Sequence, residues 1–128
     1  MNEALRNASC LHVQDQGLAG EEGHKSTNGS TFAERMREGH LNRPGFLLAE
    51  NIAYGSSDAK SALLTLAIDD GVPSRGHRKN IFAAHFRQVG ICNGKHKLLQ
   101  HMAVLIYRGK TAKEFGPDGK KDTASAEI

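Results

Sequence analysis

The spacing of apolar residues predicts that the chain begins with a helix. Residues 2–16 contain neither proline nor glycine, and Leu5, Ala8 and His12 fall on one helical face that is only partly apolar. His12 has two interpretations there: an exposed or hydrogen-bonded helix histidine, or an outer-shell group near a functional site. We favour the first.

Residues 17–30 are rich in glycine and polar side chains, which predicts a loop. The loop contains His24, directly after Gly23. A histidine in a glycine-rich loop has no obvious packing role, so this position favours a functional one.

A short second helix is predicted after this loop. Thr31 and Glu34 form a T-x-x-E capping box, and Gly39 is a natural helix end. Phe32 and Met36 are four residues apart, so both side chains should face the core.

The segment FLLAENIAYG, 46–55, reads as a β-strand that contains one acid, Glu50. A carboxylate in an apolar run costs free energy unless it is paired or faces solvent. Glu50 either faces water from a half-buried strand or points into a cleft and meets histidines. The residues alone leave both interpretations open.

A third helix is predicted from about Asp58 to Ile68, with Ser56 and Ser57 as caps. Its expected apolar face consists of Ala59, Ala62, Leu63, Leu66 and Ala67.

Asp69 and Asp70 follow this helix, where the helix dipole disfavours negative charge. Arg75, Arg78 or a metal ion could compensate the charge. A solvated acidic helix end is an equally good interpretation.

The stretch GVPSRGHRKNIF, 71–82, surrounds His77 with basic residues. Gly71 and Pro73 interrupt the preceding helix, and Gly76 permits a close backbone approach, so we expect His77 to be presented from a turn. A purely structural alternative remains, in which the arginines pair with nearby acids and His77 holds the loop by hydrogen bonds.

Two strands, 86–94 and 97–109, are predicted to form a hairpin. The second strand is apolar on both faces, so both faces should be covered. Together with the preceding helices, this pattern indicates an α/β sheet between helical layers. Residues 110–128 are poor in apolar side chains and are expected to be a flexible tail.

Composition narrows the function classes. The 128 residues suffice for one domain, and 17 basic against 14 acidic residues give a net charge of only +3 without a basic stripe interleaved with aromatics. We therefore expect no nucleic-acid partner. No apolar run approaches the roughly 18 residues of a membrane span, so no transmembrane segment is expected.

The two cysteines, Cys10 and Cys92, lack metal-ligand spacing. They could pair only if the fold brought their Cα atoms within about 7 Å. Two separate buried thiols are the favoured interpretation, because Cys10 falls on a predicted helix and Cys92 on a predicted strand.

Three segments in this order, GH at 23–24, AENIAYG at 49–55 and the stretch 71–82, resemble motifs of the CAP superfamily. That superfamily comprises cysteine-rich secretory proteins, antigen 5 and pathogenesis-related proteins, and its domains are also called SCP-like. The resemblance covers about Ala4 to Arg108. It implies a three-layer α-β-α sandwich, here a domain at 1–109 followed by the tail at 110–128.

The resemblance also implies a ligand cleft. It would contain His24, Glu50 and His77, with Asp69 or Asp70 as the second acid where many relatives carry glutamate. Arg78 would line the same cleft, and the usual tryptophan of that helix is missing. His24 and His77 would be the metal ligands, and Zn²⁺ or another divalent cation suits two imidazoles.

The function implied is that of a non-enzymatic domain that binds a divalent metal or a small ligand, with lipids and sterols among the family's precedents. The alternative is a metal-dependent hydrolase, a peptidase or esterase, that uses the same cleft. No HExxH helix or G-x-S-x-G elbow supports a dedicated hydrolase. A third hypothesis is an interaction module in which Arg75 to Lys79 bind acidic surfaces.

Family resemblance implies an extracellular location, although the first ten residues contain no apolar core of a signal peptide. Relatives usually begin with a leader and a further helix. We therefore expect this chain to be a fragment or a shortened member. Its oligomeric state is left open.

Overall fold

The computed structural model describes residues 1–110 and the backbone of 125–127. In chain order the elements are α1 (Glu3–Ala19), α2 (Phe32–Glu38), β1 (Phe46–Tyr54), α3 (Ala59–Ile68), α4 (Gly76–Phe82), β2 (Phe86–His96), β3 (Gln100–Lys110) and β4 (Ser125–Glu127). None of the helices described is both long and apolar enough to cross a bilayer.

The predicted tail at 110–128 lies mostly outside the described residues. Lys110 is the last residue of β3 rather than part of a tail. Ser125–Glu127 pair in parallel with β1, so the expectation of a flexible tail does not hold for these three residues. For the rest of the segment it stays a prediction.

The strands form one sheet in the order β2-β3-β1-β4. β3 pairs antiparallel with β2 and with β1, which confirms the predicted hairpin. In this register Glu50 lies opposite Ile106, and Asn51 lies opposite Leu105.

The sheet separates two apolar clusters, because successive side chains of a strand point to opposite faces. One cluster joins α1 and α2 to the sheet and consists of Leu5, Val13, Phe32, Met36, Leu41, Leu48, Ile52, Met102, Val104 and Ile106. The other joins α3 to the sheet and consists of Ala49, Ala53, Ala62, Leu66, Ala103, Leu105 and Tyr107. The α-β-α architecture is thus confirmed, with β3 buried on both faces as its sequence predicts.

Helix α1 lies directly on β2 at Gly90. A Cβ atom built on Gly90 would overlap with the backbone nitrogen of Arg6 and the carbonyl carbon of Leu5. Only glycine permits this approach of two backbones.

The same contact between α1 and β2 contains a disulfide, so the prediction of two separate thiols is wrong. Cys10 and Cys92 have Cα atoms 5.1 Å apart and are bonded through sulfur. Sequence reasoning assigned them correctly to a helix and a strand but could not place those elements against each other.

Local cap signals predicted the helix ends with one exception. Thr31 Oγ1 accepts from the Glu34 N–H at 3.2 Å, as the capping box predicts. In α3 the cap is Asp58 rather than Ser56 or Ser57, because the Asp58 carboxylate accepts from both the backbone N–H and the hydroxyl of Ser61.

The predicted apolar face of α3 is too broad. Only Ala62 and Leu66 are buried, whereas Ala59 and Leu63 are exposed. The helix rests on small side chains of β1, Ala49 and Ala53, and that contact covers a narrow stripe.

Candidate functional site

The loop that carries His24 is held by polar side chains from the buried face of α1. His12 Nε2 donates to the Gly23 carbonyl at 2.9 Å, and Gln16 Nε2 donates to the Gly23 and Lys25 carbonyls at 2.6 and 3.2 Å. His12 is therefore a hydrogen-bonded helix histidine, the favoured interpretation. It also supports the residue that precedes His24.

Burial lowers the pKa of His12, and the nearby Arg35 lowers it further, although Glu50 and Asp15 act in the opposite direction. Among the described residues, His12 Nδ1 is buried without a hydrogen-bond partner. A proton on Nδ1 would consequently be costly, and the ring is held neutral.

Tyr54, at the end of β1, completes this support. Its hydroxyl accepts from the Gly23 N–H at 2.8 Å and donates to Gln16 Oε1 at 2.9 Å. Burial raises the pKa of Tyr54, so the hydroxyl stays protonated and can make both bonds. The sequence analysis assigned no role to Tyr54 or Gln16.

His24 and Glu50 form the first histidine–acid pair. Glu50 is fully buried and its Oε1 lies 2.8 Å from His24 Nδ1. The open question about Glu50 is answered, since the side chain points inward and not to water. A carboxylate oxygen accepts, so Nδ1 of His24 carries the proton.

Arg35 of α2 neutralises this buried carboxylate. Its Nη2 contacts Glu50 Oε1 at 2.6 Å, Glu50 Oε2 at 2.8 Å and the His24 carbonyl at 2.9 Å. Sequence reasoning missed Arg35, but its position carried a signal. Phe32, Arg35 and Met36 have the i, i+3, i+4 spacing of one helical face, and the two apolar members are buried.

His77 and Asp69 form the second pair. Asp69 Oδ1 accepts from His77 Nδ1 at 2.9 Å, and Oδ2 accepts from the backbone N–H groups of His77 at 3.0 Å and Arg78 at 3.4 Å. Burial alone would raise the pKa of Asp69, but these hydrogen bonds together hold it below its usual value.

His77 lies in the first turn of α4, so the expectation that a turn presents it is wrong. The carboxylate of Asp69 accepts the otherwise unpaired N–H groups at the start of this helix. Gly76 is the first residue of α4 instead of the apex of a loop.

Asn51 fixes α4 to the sheet. Its Nδ2 donates to the His77 carbonyl at 3.1 Å and to the Tyr107 hydroxyl at 3.2 Å, and its Oδ1 accepts from Asn80 at 2.9 Å. Burial raises the pKa of Tyr107 to about 12, so this network is uncharged at ordinary pH. The sequence analysis also missed Asn51.

The other two predicted cleft residues lie apart from the histidine rings. Asp70 is exposed, and its carboxylate accepts from the Gly71 N–H at 3.1 Å. Arg78 reaches Asp69 only through its backbone, while its guanidinium lies 5.8 Å from the centre of the Phe82 ring. Arg75 donates to the Ile68 carbonyl at 2.8 Å and so compensates the negative end of α3.

The site thus consists of two histidine–carboxylate pairs, and Glu50 and Asn51 tie these pairs to consecutive positions of β1. In each pair the carboxylate engages Nδ1, and no hydrogen-bond partner for Nε2 occurs among the described residues. Both imidazole side chains are 18% exposed. Within residues 1–110, no group of three or more His, Cys, Asp or Glu side chains is arranged to hold a metal ion.

Comparisons with known proteins give a consistent result. The model of the cysteine-rich secretory protein family, CAP, matches residues 1–107. An extracellular protein containing an SCP domain, from Bacillus anthracis str. Ames, superposes with a TM-score of 0.65 at 24% identity and covers 85% of this chain. An outer surface protein from Borrelia burgdorferi superposes with a TM-score of 0.67 at 15% identity over 86% of this chain.

The matched lengths differ between these two structures. This chain covers 33% of the Bacillus protein and 76% of the Borrelia protein. A search of curated proteins found no match. At these identities the two structures establish the fold.

Proposed function

This chain belongs to the cysteine-rich secretory protein (CAP) family, and from that premise we propose that it is a non-enzymatic binding domain. Its His24 and His77 would each present Nε2 to a divalent metal ion or to a small ligand. The observation that carries the proposal is the hydrogen bond from each Nδ1 to a carboxylate.

Metal-ligating histidines usually donate their second ring N–H to a carboxylate or carbonyl, which fixes the tautomer and leaves the other nitrogen to bind. Both His24 and His77 have that arrangement. Glu50 and Asp69 would accordingly be orienting groups and not direct ligands. This differs from a cleft in which acids and histidines all face the same ion.

Imidazole suits Zn²⁺ and other late first-row divalent ions. With no third protein ligand arranged around either ring within residues 1–110, water would complete the coordination. We expect a correspondingly modest affinity.

The hydrolase alternative is less well supported. A metal-dependent hydrolase needs a free general base beside the bound water. Both oxygens of Glu50 are engaged by Arg35, and both oxygens of Asp69 by His77. Neither carboxylate is available for that role without breaking a buried contact.

A lipid or sterol ligand would need a different place. A groove of about 800 Å³, with mainly apolar walls, lies between α1 and the β2–β3 turn and is lined by Val13, Leu18 and the Cys10–Cys92 disulfide among others. Neither His24 nor His77 lines it. Lipid binding and metal binding would therefore be separable by mutation.

We also propose that the domain acts outside the cytoplasm. Disulfides persist mainly in oxidising compartments, and Cys10–Cys92 is such a bond. The similar Bacillus protein is described as extracellular.

The test is calorimetric titration of the purified protein with Zn²⁺ at pH 7.5, followed by peptidase and esterase assays. We expect saturable binding that His24→Ala or His77→Ala weakens at least tenfold, without turnover of either substrate class. His85→Ala is the matched control, because His85 is exposed and lies outside both pairs. Unchanged binding in both site variants would refute the proposal, and turnover abolished by His77→Ala would favour the hydrolase.

A further inference from the structure

Helices α3 and α4 expose large apolar side chains on the surface of the domain. Leu64 is 51% exposed, Ile68 55% and Phe82 68%. Leu64 and Ile68 are four residues apart in α3 and so share a helical face, opposite the buried Ala62 and Leu66. We refer to Leu64, Ile68 and Phe82, with the cations that accompany them, as the α3–α4 surface.

Three cations accompany these apolar groups. Arg75, Arg78 and Lys79 line a depression of about 440 Å³ together with Phe82. Arg75 is also bonded to the carbonyl of Ile68 at 2.8 Å, which brings this depression to the end of α3.

A fourth cation, Lys60, is exposed one helical turn before Leu64. Two acids lie nearby: Asp58 caps α3 through bonds to Ser61, and Asp70 is exposed. Four cations against these two acids leave the surface positively charged.

We propose that the α3–α4 surface docks on a lipid bilayer with anionic headgroups. Single exposed apolar residues are ordinary. Apolar side chains flanked by arginine and lysine, however, match the boundary between headgroups and acyl chains, where the apolar groups insert and the cations contact lipid phosphates. An acidic protein or a soluble polyanion would pair with the cations but would leave Leu64, Ile68 and Phe82 uncovered.

This inference does not depend on metal binding. The two properties meet in α4, whose first turn holds His77 against Asp69 while Arg78, Lys79 and Phe82 are exposed. Docking on the bilayer would hold α4, and with it the second histidine–acid pair, at the membrane surface.

The test is co-sedimentation of the protein with vesicles of phosphatidylcholine alone and with vesicles that contain about 30% phosphatidylglycerol. We expect binding only to the anionic vesicles. Removing two cations in Arg78→Gln/Lys79→Gln should weaken it about 25-fold, since each cation near an anionic surface contributes roughly fivefold. Leu64→Ser/Phe82→Ser keeps every charge and should weaken binding at least tenfold.

The matched control is Lys97→Gln/Leu98→Ser at the β2–β3 turn, where a cation also adjoins a leucine that is 71% exposed. Far-ultraviolet circular dichroism and thermal melting verify that each variant is folded. The proposal is overturned if the wild type does not bind anionic vesicles, or if binding depends on the control pair instead. It is also overturned if Leu64→Ser/Phe82→Ser binds as well as the wild type, because attraction by charge alone would then suffice.

Discussion

Glu50 and Asn51 are consecutive residues of β1, and their buried side chains leave the sheet on opposite faces. Glu50 meets His24 and Arg35 on the α1–α2 face, whereas Asn51 holds the carbonyl of His77 on the α3–α4 face. Two neighbouring positions of one strand thus organise both halves of the candidate site. A register shift of one residue would exchange their faces and break both contacts.

Glu50→Gln should destabilise the domain strongly. The substitution leaves Arg35, whose side chain is only 10% exposed, without its counter-charge. Breaking a buried ion pair by removing one partner costs about 3 kcal/mol or more. Urea unfolding monitored by circular dichroism measures the change in the free energy of unfolding.

Glu3→Gln is the matched control for this substitution. Glu3 pairs with Arg6 at 3.4 Å, but both side chains are at least half exposed. Exposed pairs contribute little, so no measurable change is expected. A similar small effect of both substitutions would contradict the role assigned to Glu50.

Asp69→Asn and Asp70→Asn should differ in their effect on Zn²⁺ affinity. Asp69 orients the imidazole of His77, and loss of such an orienting carboxylate typically weakens metal binding about 10- to 100-fold. Asp70 contacts only the Gly71 N–H, so its variant should bind as the wild type does. Calorimetric titration compares the two, and equal affinities would show that Asp69 does not act through His77.

Lower pH should destabilise the fold through His12. Because its folded pKa is below the unfolded value of 6.5, the unfolded state takes up the proton first. Stability is therefore retained above pH 6.5 and lost as pH falls from 6.5 toward the lowered folded pKa, by at most about 1.4 kcal/mol per pH unit. Urea midpoints at pH 7, 6 and 5 follow this loss.

His12→Gln should be less sensitive over that range, since it retains an N–H donor but no titrating ring. His85→Gln, at an exposed position, should keep the wild-type dependence. The pKa of Asp69 is below 3.8, so its contribution is lost only at still lower pH and does not enter the comparison. An unchanged pH dependence in His12→Gln would exclude His12 as the cause.

Cys10→Ser/Cys92→Ser should lower stability by about 4 kcal/mol. The bond spans 82 residues of sequence, and closing so long a loop restricts the unfolded chain considerably. Urea unfolding of the variant, and of the wild type with a reducing agent, should give similar losses. Two reactive thiols in the native, unreduced wild type would disprove the bond.

Local signals in the sequence determine much of this fold. Thr31 and Glu34 mark the start of α2, and the apolar, β-prone residues of 46–55 and 97–109 mark two strands that the structure contains. These features depend on neighbouring residues, so one sequence suffices to predict them. His24 and Glu50 were recognised for a related reason, because each is chemically unusual in its own segment.

The features that were missed depend on contacts between distant segments. Cys10 and Cys92 meet because α1 packs on β2 at Gly90, and no local pattern encodes that contact. Asp69 determines the environment of His77 across eight residues by capping α4. Neither property could be derived without knowing how the elements pack.

The bond between Cys10 and Cys92 has a topological consequence. His24, Arg35, Glu50, Asn51, Asp69 and His77 all lie between these two cysteines in sequence, so one covalent ring of polypeptide encloses them. A protease that cuts once within the ring, for example in the exposed segment around Asp58, would linearise it without releasing a fragment. The nicked molecule would keep every one of these residues tethered to the rest of the chain until the sulfur–sulfur bond is reduced.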